Sequence, residues 1–390
     1  MQATLRRQPD YTCVQQIERS QRRLPNLRFE LVDMLRMEVA LVDGKELFAW
    51  PGSKKFEDTE LRDMAPGGAI GNGNFALHAR AVFLGNGPVF TFRGADRVNG
   101  KRAARFDYRV SLLNSGYLIR VNHREALVAY HGSFWADPET YDVLRLEVAV
   151  EGDEVPPSLG LARARDTMDY SRVRIGPGDF LLPSGSELAM VDLDGNESRN
   201  RVTFSSCRQY SGESVLSFND PPPESAQTVA GAEMPPPGEV PGGLAADLGL
   251  ETEIDSGTSM IGDPVEAVLE SPLRHKRHLL IPRGATLAGR IIRLERRQDH
   301  TLLAIQFTEA RAKSSRWKLM GRVSEIRSPG FAPPSGQFEG ALVSQSRPQV
   351  GIIYIKGNRI HLHPAVRMTL RTENAAAISE PRAAPGQESQ

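Results

Sequence analysis

The residues best placed to do chemistry in this 390-residue chain fall in one short stretch, "HGSFWADPETYDVLRLEV", residues 131–148. It holds His131, Ser133 and four carboxylates, Asp137, Glu139, Asp142 and Glu147. A serine beside a histidine suggests acyl transfer, and paired carboxylates suggest proton transfer. The spacing argues against both. His131 and Ser133 share one face of a strand, but no third group is placed to orient the ring or activate the hydroxyl. Asp137-Pro138-Glu139-Thr140 fits a type I turn, with Asp at the first position and Pro preset at the second. The stretch reads as a hairpin corner with solvated carboxylates.

Other motifs fail on spacing. Gly71-x-Gly73 with Ala76 mimics a dinucleotide fingerprint, but "LRDMAP" precedes it where a strand is required. "DLDGNES" (192–198) has its glycine fourth instead of sixth for a calcium loop, with Thr203 where the bidentate Glu belongs. His361-x-His363 puts two imidazoles on one strand face, half of a metal site without a clear third ligand, so no metal is expected. "RHKRH" (274–278) is a basic cluster between strands, most simply a solvated loop. "GTSMIG" and "PSGSEL" lack the alternate Gly-x-Ser-x-Gly of a nucleophile elbow. Neither an enzyme nor a cofactor is expected.

Composition narrows the partners. The 48 basic residues balance the 48 acidic ones, which removes any global argument for nucleic acid as partner. No apolar run approaches the roughly 18 residues of a transmembrane helix. The start, "MQATLRRQPDYTC", lacks the apolar stretch of a secretory signal and taken alone points to the cytoplasm. It reads as a helix end, a Pro-Asp break and a first strand, as if an upstream piece were missing. Cys13 and Cys207 sit in strand-like segments without C-x-x-C spacing. They are either two buried thiols or one long-range disulfide, and the latter would require an oxidising compartment.

The elements that position these residues are mainly β. Hairpins turn at Asp43-Gly44, Asn99-Gly100 and Asp194-Gly195, between runs rich in β-branched and aromatic residues. Two helices are expected, over 58–65 and 74–85, capped by Asp58 and Asn74. The second would bury Phe75, Leu77, Ala81, Val82 and Leu84. Along residues 143–150, Leu144, Leu146, Val148 and Val150 fall on one face, and Val143, Arg145 and Glu147 on the other. Residues 219–249 carry two Pro triplets and few large apolar residues, and cannot form a core. Order resumes from "SGTSMIGDPVEAVLESPL" into strands with a last turn at Gly357-Asn358. The tail, rich in Ala, Pro, Glu and Gln, should be disordered.

On these residues two resemblances rest. The hairpin "YHGSFWADPETYDVLRLEV", with Gly132, Trp135, Asp137, Pro138, Glu139 and Thr140, resembles that of the LolA/MucB-RseB-type outer-membrane lipoprotein-sorting family. That implies a mainly β, curved antiparallel open barrel with a few covering helices, and a periplasmic protein that binds lipid or acylated protein without catalysis. "GDPVEAVLESPL…HLLIPRGATLAGRI" resembles the β-rich segment of TrbI/VirB10-type proteins, implying a second small β-rich barrel domain. There Pro282 presets a bend, Gly284 frees a turn and Gly289 allows close backbone approach. The expected organisation is a LolA-like domain over 1–218, a linker over 219–255, a small barrel over 256–372 and a tail over 373–390. The expected function is to hold a lipid or acylated ligand in the concavity of the first sheet. Leu144, Leu146, Val148 and Trp135 are the ligand-binding candidates, with Cys13 and Cys207 as a disulfide. The alternative is an interaction module that docks envelope protein partners.

Overall fold

A computed structural model of the protein describes residues 2–26, 28–53, 56, 61–64, 70–71, 73–121, 124–210, 240–313, 315–327, 342–343, 351–364 and 366–374. The chain divides into two compact units, Met1–Ser217 and Phe218–Gln390.

Unit 1 opens with α1 (Gln2–Arg7), β1 (Tyr11–Arg22), β2 (Glu30–Val42) and β3 (Lys45–Ala49), followed by α2 (Leu61–Met64) and α3 (Leu77–Leu84). Next come β4 (Val89–Val98), β5 (Lys101–Val110), β6 (Leu118–Val121) and β7 (Arg124–Leu127). It ends with β8 (Tyr130–Ala136), β9 (Val143–Glu151), β10 (Leu161–Ile175), β11 (Gly178–Asp192) and β12 (Glu197–Gln209). Ten of these strands form one sheet in the order β3-β2-β1-β12-β11-β10-β9-β8-β5-β4. Every pairing in it is antiparallel. The turns at Asp43-Gly44 and Asn99-Gly100 have both residues at positive φ, as a type I′ hairpin demands.

The sheet is open and strongly curved. Glu46 of β3 accepts hydrogen bonds from the amides of Ala76 and Leu77 at the start of α3, while Phe134 of β8 packs on Phe83 near its end, with ring centroids 5.1 Å apart. In a flat sheet, seven strand spacings would separate β3 from β8 by about 34 Å. The helix between them is only about 12 Å long. The strands therefore wrap around it.

Beneath α3 the core gathers Val82 and Phe83 with Val110, Tyr130, Val143, Leu146, Val148, Val150 and Met168. The buried face of α3 is His78, Ala79, Val82 and Phe83. Phe75 and Val82 are buried as expected, whereas Ala81 is exposed and Leu77 and Leu84 are half-buried, so the expected apolar stripe is only partly in phase. Asn74 does not cap the helix, since its side chain donates to Ser186 Oγ at 2.9 Å. Asp58, the other expected cap, lies outside the described residues. Cys13 and Cys207 form a disulfide joining β1 to the neighbouring β12, the first and last strands of the unit.

Unit 2 contains β13 (Ala245–Leu250), β14 (Ile254–Asp255), β15 (Pro264–Leu269), β16 (Leu273–His275), β17 (His278–Ile281) and β18 (Thr286–Arg296). It continues with β19 (His300–Ala312), β20 (Ser315–Arg327), β21 (Leu342–Val343), β22 (Ile353–Lys356), β23 (His361–Leu362) and β24 (Arg367–Glu373). The order β18-β15-β13-β24-β20-β19 closes on itself through β18–β19 pairing, giving a six-stranded ring with β22 and β21 appended. Gly284 adopts φ +81°, and a Cβ on Gly289 would meet the carbonyl oxygen of Gln306 at 2.2 Å. Both glycines therefore do what their sequence context suggests.

The linker boundary needs correcting. Residues 240–255, expected to be unstructured, include β13, whose Leu248 and Leu250 are fully buried. Alternation of apolar residues, not the nearby Pro-rich composition, decides their state, because those side chains have a ring interior to fill. The remainder of the expected linker, 219–239, and the tail from 375 lie outside the described residues.

Candidate ligand site on the inner sheet face

Period-2 alternation places Phe90 and Phe92 of β4, Phe106 and Tyr108 of β5, and Phe134 of β8 on one face of the sheet, opposite one another in register. Phe106 stacks on Phe134 with centroids 4.9 Å apart and planes within 8°. Phe90 meets Phe134 edge-on at 5.2 Å, and Phe92 contacts Phe106 at 5.3 Å. This aromatic row begins in the core against Phe83 and runs outward past the end of α3. At its outer end Phe90 is 41% exposed and Phe92 62% exposed. Among the described residues β4 is the terminal strand, and Phe92 is left uncovered by them, while Phe90 still meets Phe83 of α3 with centroids 6.1 Å apart. The result is an apolar shelf that is buried at one end and open at the other.

The four residues proposed from sequence are divided by a bulge. Trp135 faces Arg145 and Ala136 faces Val143, leaving Leu144 as the extra residue. The bulge reverses the side-chain parity, so Val143 joins Leu146, Val148 and Val150 in the core and Leu144 does not. Leu146 and Val148 lie on the inner face but are covered by the protein's own side chains, at 0% and 1% exposure. Trp135 is on the opposite, polar face, where its indole donates to Asp96 at 2.8 Å and Arg105 stacks on its ring. A one-residue register change cannot be read from alternation alone. The shelf aromatics were legible as alternating Phe and Tyr in "VFTFRG" and "ARFDYRV", but only their uncovered position marks them out.

Gly132 and the Asp137 corner serve the architecture. A Cβ on Gly132 would lie 1.9 Å from the Glu147 carbonyl oxygen and 2.7 Å from the Tyr108 hydroxyl. Glycine thus lets the Tyr108 ring cross β8 and donate to Glu147 O at 2.8 Å. Asp137 Oδ1 accepts from the amides of Glu139 and Thr140, closing the corner.

On the outer face, an open groove of about 780 Å³ is lined by Arg93, Arg105, Asp107, His131, Ser133 and Arg165, among others. His131 has an orienting carboxylate that the sequence did not reveal: Nδ1 lies 2.8 Å from Glu154. Its Nε2 faces Glu151 at 3.6 Å. Ser133 donates to Asp107 at 2.8 Å and accepts from Arg105. Each group is committed to a different partner, so no proton relay runs from the serine to the histidine.

A second polar cluster is sealed beneath α3. His78 Nε2 stands 3.7 Å from Asp166 Oδ2, and both residues are buried. Tyr117 meets the imidazole edge-on at 4.9 Å. Burial pushes the Asp166 carboxyl up to about 7, reinforced by the nearby Glu46 charge. Burial alone brings His78 down to about 4. Glu46 is also raised by burial, even though it accepts from the amides of Gly73, Ala76 and Leu77. These shifts, all caused chiefly by burial, mark a closed interior rather than an open cleft.

No protein-family model matches the chain, and no curated protein sequence does. Among solved structures, the chain is similar to a domain described as an outer membrane lipoprotein-sorting protein from Vibrio parahaemolyticus. The identity is 13%, over 54% of this chain and 89% of that one, with a TM-score of 0.26. It is also similar to a DUF1329 family protein from Desulfovibrio piger, at 9% identity over 56% of this chain and 92% of that one, TM-score 0.29. MucB in complex with MucA(peri) matches over 96% of this chain and 97% of that one, at 12% identity and a TM-score of 0.17.

Proposed function

We propose that unit 1 is a non-enzymatic, acyl-chain-binding module of the cell envelope, and that the ligand lies on the Phe90–Phe92–Phe106–Phe134 shelf. The observation that carries this reading is a continuous aromatic row, anchored in the core and left uncovered at Phe92. A lipid or acylated protein supplies the methylenes that such a surface takes out of water. Each buried methylene contributes about 0.8 kcal/mol, so ten would supply roughly 8 kcal/mol before the cost of immobilising the chain. Micromolar or weaker affinity follows. The disulfide favours an oxidising compartment, which for an envelope protein is the periplasm.

Titration of the full chain with a dansyl-labelled C16 fatty acid tests the reading. Saturable binding is expected, weakened at least about tenfold by Phe92→Asp, which sets a charge on the shelf. Equal affinity in the variant, or no saturable binding, would overturn it. A second reading, docking of an envelope protein partner, is favoured by a separate observation. The interior under α3 is filled by Leu146, Val148 and Val82, while the β4 edge is unpaired among the described residues. Saturable binding of an extended peptide without any fatty-acid binding would select that alternative.

A further inference from the structure

His361-x-His363 is half of a metal site by sequence, and the fold supplies the missing ligand. β14 and β23 form a two-stranded antiparallel ladder in which Ile254 pairs with Leu362 and Asp255 with His361. Ile254 and Leu362 point into the core at 0% and 4% exposure. Alternation then turns residues 253, 255, 361 and 363 outward on one face. Glu253 arrives there from 108 positions upstream of His361. Its Oε1 contacts His361 Nε2, and the His361 and His363 rings lie 4.0 Å apart. One ligand atom from each of Glu253, His361 and His363 falls within 4.8 Å of the other two.

We infer that Glu253, His361 and His363 form a binding site for a divalent transition-metal ion such as Zn²⁺. Two imidazoles and one carboxylate are a donor set suited to that class of ion. Ligands about 2.1 Å from a shared tetrahedral ion stand about 3.4 Å apart. Small rotations of three solvent-accessible side chains on a fixed ladder bring the present spacing to that value. A fourth position stays open to water. Asp255, on the same face, is engaged elsewhere: it accepts from the Gly257 amide at 2.7 Å and faces Arg359 at 3.5 Å. The site therefore has three protein ligands, not four.

The test is calorimetric titration of the full-length protein with Zn²⁺ at pH 7.5, with native mass spectra for stoichiometry. One ion per chain is expected. His363→Ala and Glu253→Gln should each weaken binding by more than the roughly 10–100-fold that loss of an outer-shell partner costs. Because both side chains are exposed, these variants keep the fold, which circular dichroism checks. His275 and His278 face each other across the β16–β17 hairpin and are the competing imidazole pair. A His275→Ala/His278→Ala variant should bind as the native protein does. Zn²⁺ uptake unchanged by His363→Ala, uptake abolished in the His275/His278 variant, or no saturable uptake would overturn the assignment.

Discussion

The buried pair His78–Asp166 makes a prediction that the native protein hides. Asp166 has its carboxyl raised from 3.8 to about 7, so folding favours its protonated form. Its contribution is present below pH 4 and lost as pH rises towards 7, worth about 4 kcal/mol. His78 is lowered from 6.5 to about 4, so folding favours its neutral form. Its contribution is present above pH 6.5 and lost as pH falls towards 4, worth about 3 kcal/mol. Between those limits the slopes oppose each other. The folded pair holds one proton across the window, and so does the unfolded pair, so the native protein should show almost no net dependence from these groups. Removing either partner exposes the other. Asp166→Asn should lose about 3 kcal/mol relative to native as pH falls from 6.5 to 4, and His78→Gln should lose about 4 kcal/mol as pH rises from 4 to 7. Urea dependence of amide exchange in β10 and β11 measures this without interference from unit 2. Taking the difference between variant and native at each pH cancels the titrating groups that do not interact with this pair, leaving Glu46 as the coupled neighbour. Difference curves that stay flat for both variants would refute the claim that burial controls this pair.

Two further outcomes concern the sheet of unit 1. The disulfide closes a sequence separation of 194 residues, so replacing Cys13 and Cys207 together by Ala should cost about 3–5 kcal/mol, near the top of the range for long loops; unfolding under oxidising and reducing conditions checks it. Arg19 of β1 and Asp33 of β2 are directly opposed and buried, with a bidentate pair at 2.7 and 2.5 Å. Asp33→Ala leaves the guanidinium without its carboxylate and should destabilise by about 3–5 kcal/mol, read from the urea midpoint of unit 1.

Local chemistry made much of this protein legible in its sequence. The Asp43-Gly44 and Asn99-Gly100 turns follow from the left-handed backbone that a type I′ hairpin requires, and the strands follow from alternation between them. The Asp137 corner was legible too, because an Asx-type turn is closed by neighbours in the chain. What the sequence could not supply came from contacts between distant segments. The bulge at Leu144 reverses the parity of β9 and is set by pairing with β8. The cap of α3 comes from Glu46 on β3, which makes Asn74 dispensable as a cap and puts His78 beside Asp166. His131 finds Glu154, and His361 finds Glu253, only because antiparallel pairing and loop return bring them together. The open end of the aromatic shelf exists because, among the described residues, β4 is the last strand of a curved sheet that outruns its short helix. Alternation names the face a side chain occupies, but only the packed fold decides whether anything covers it.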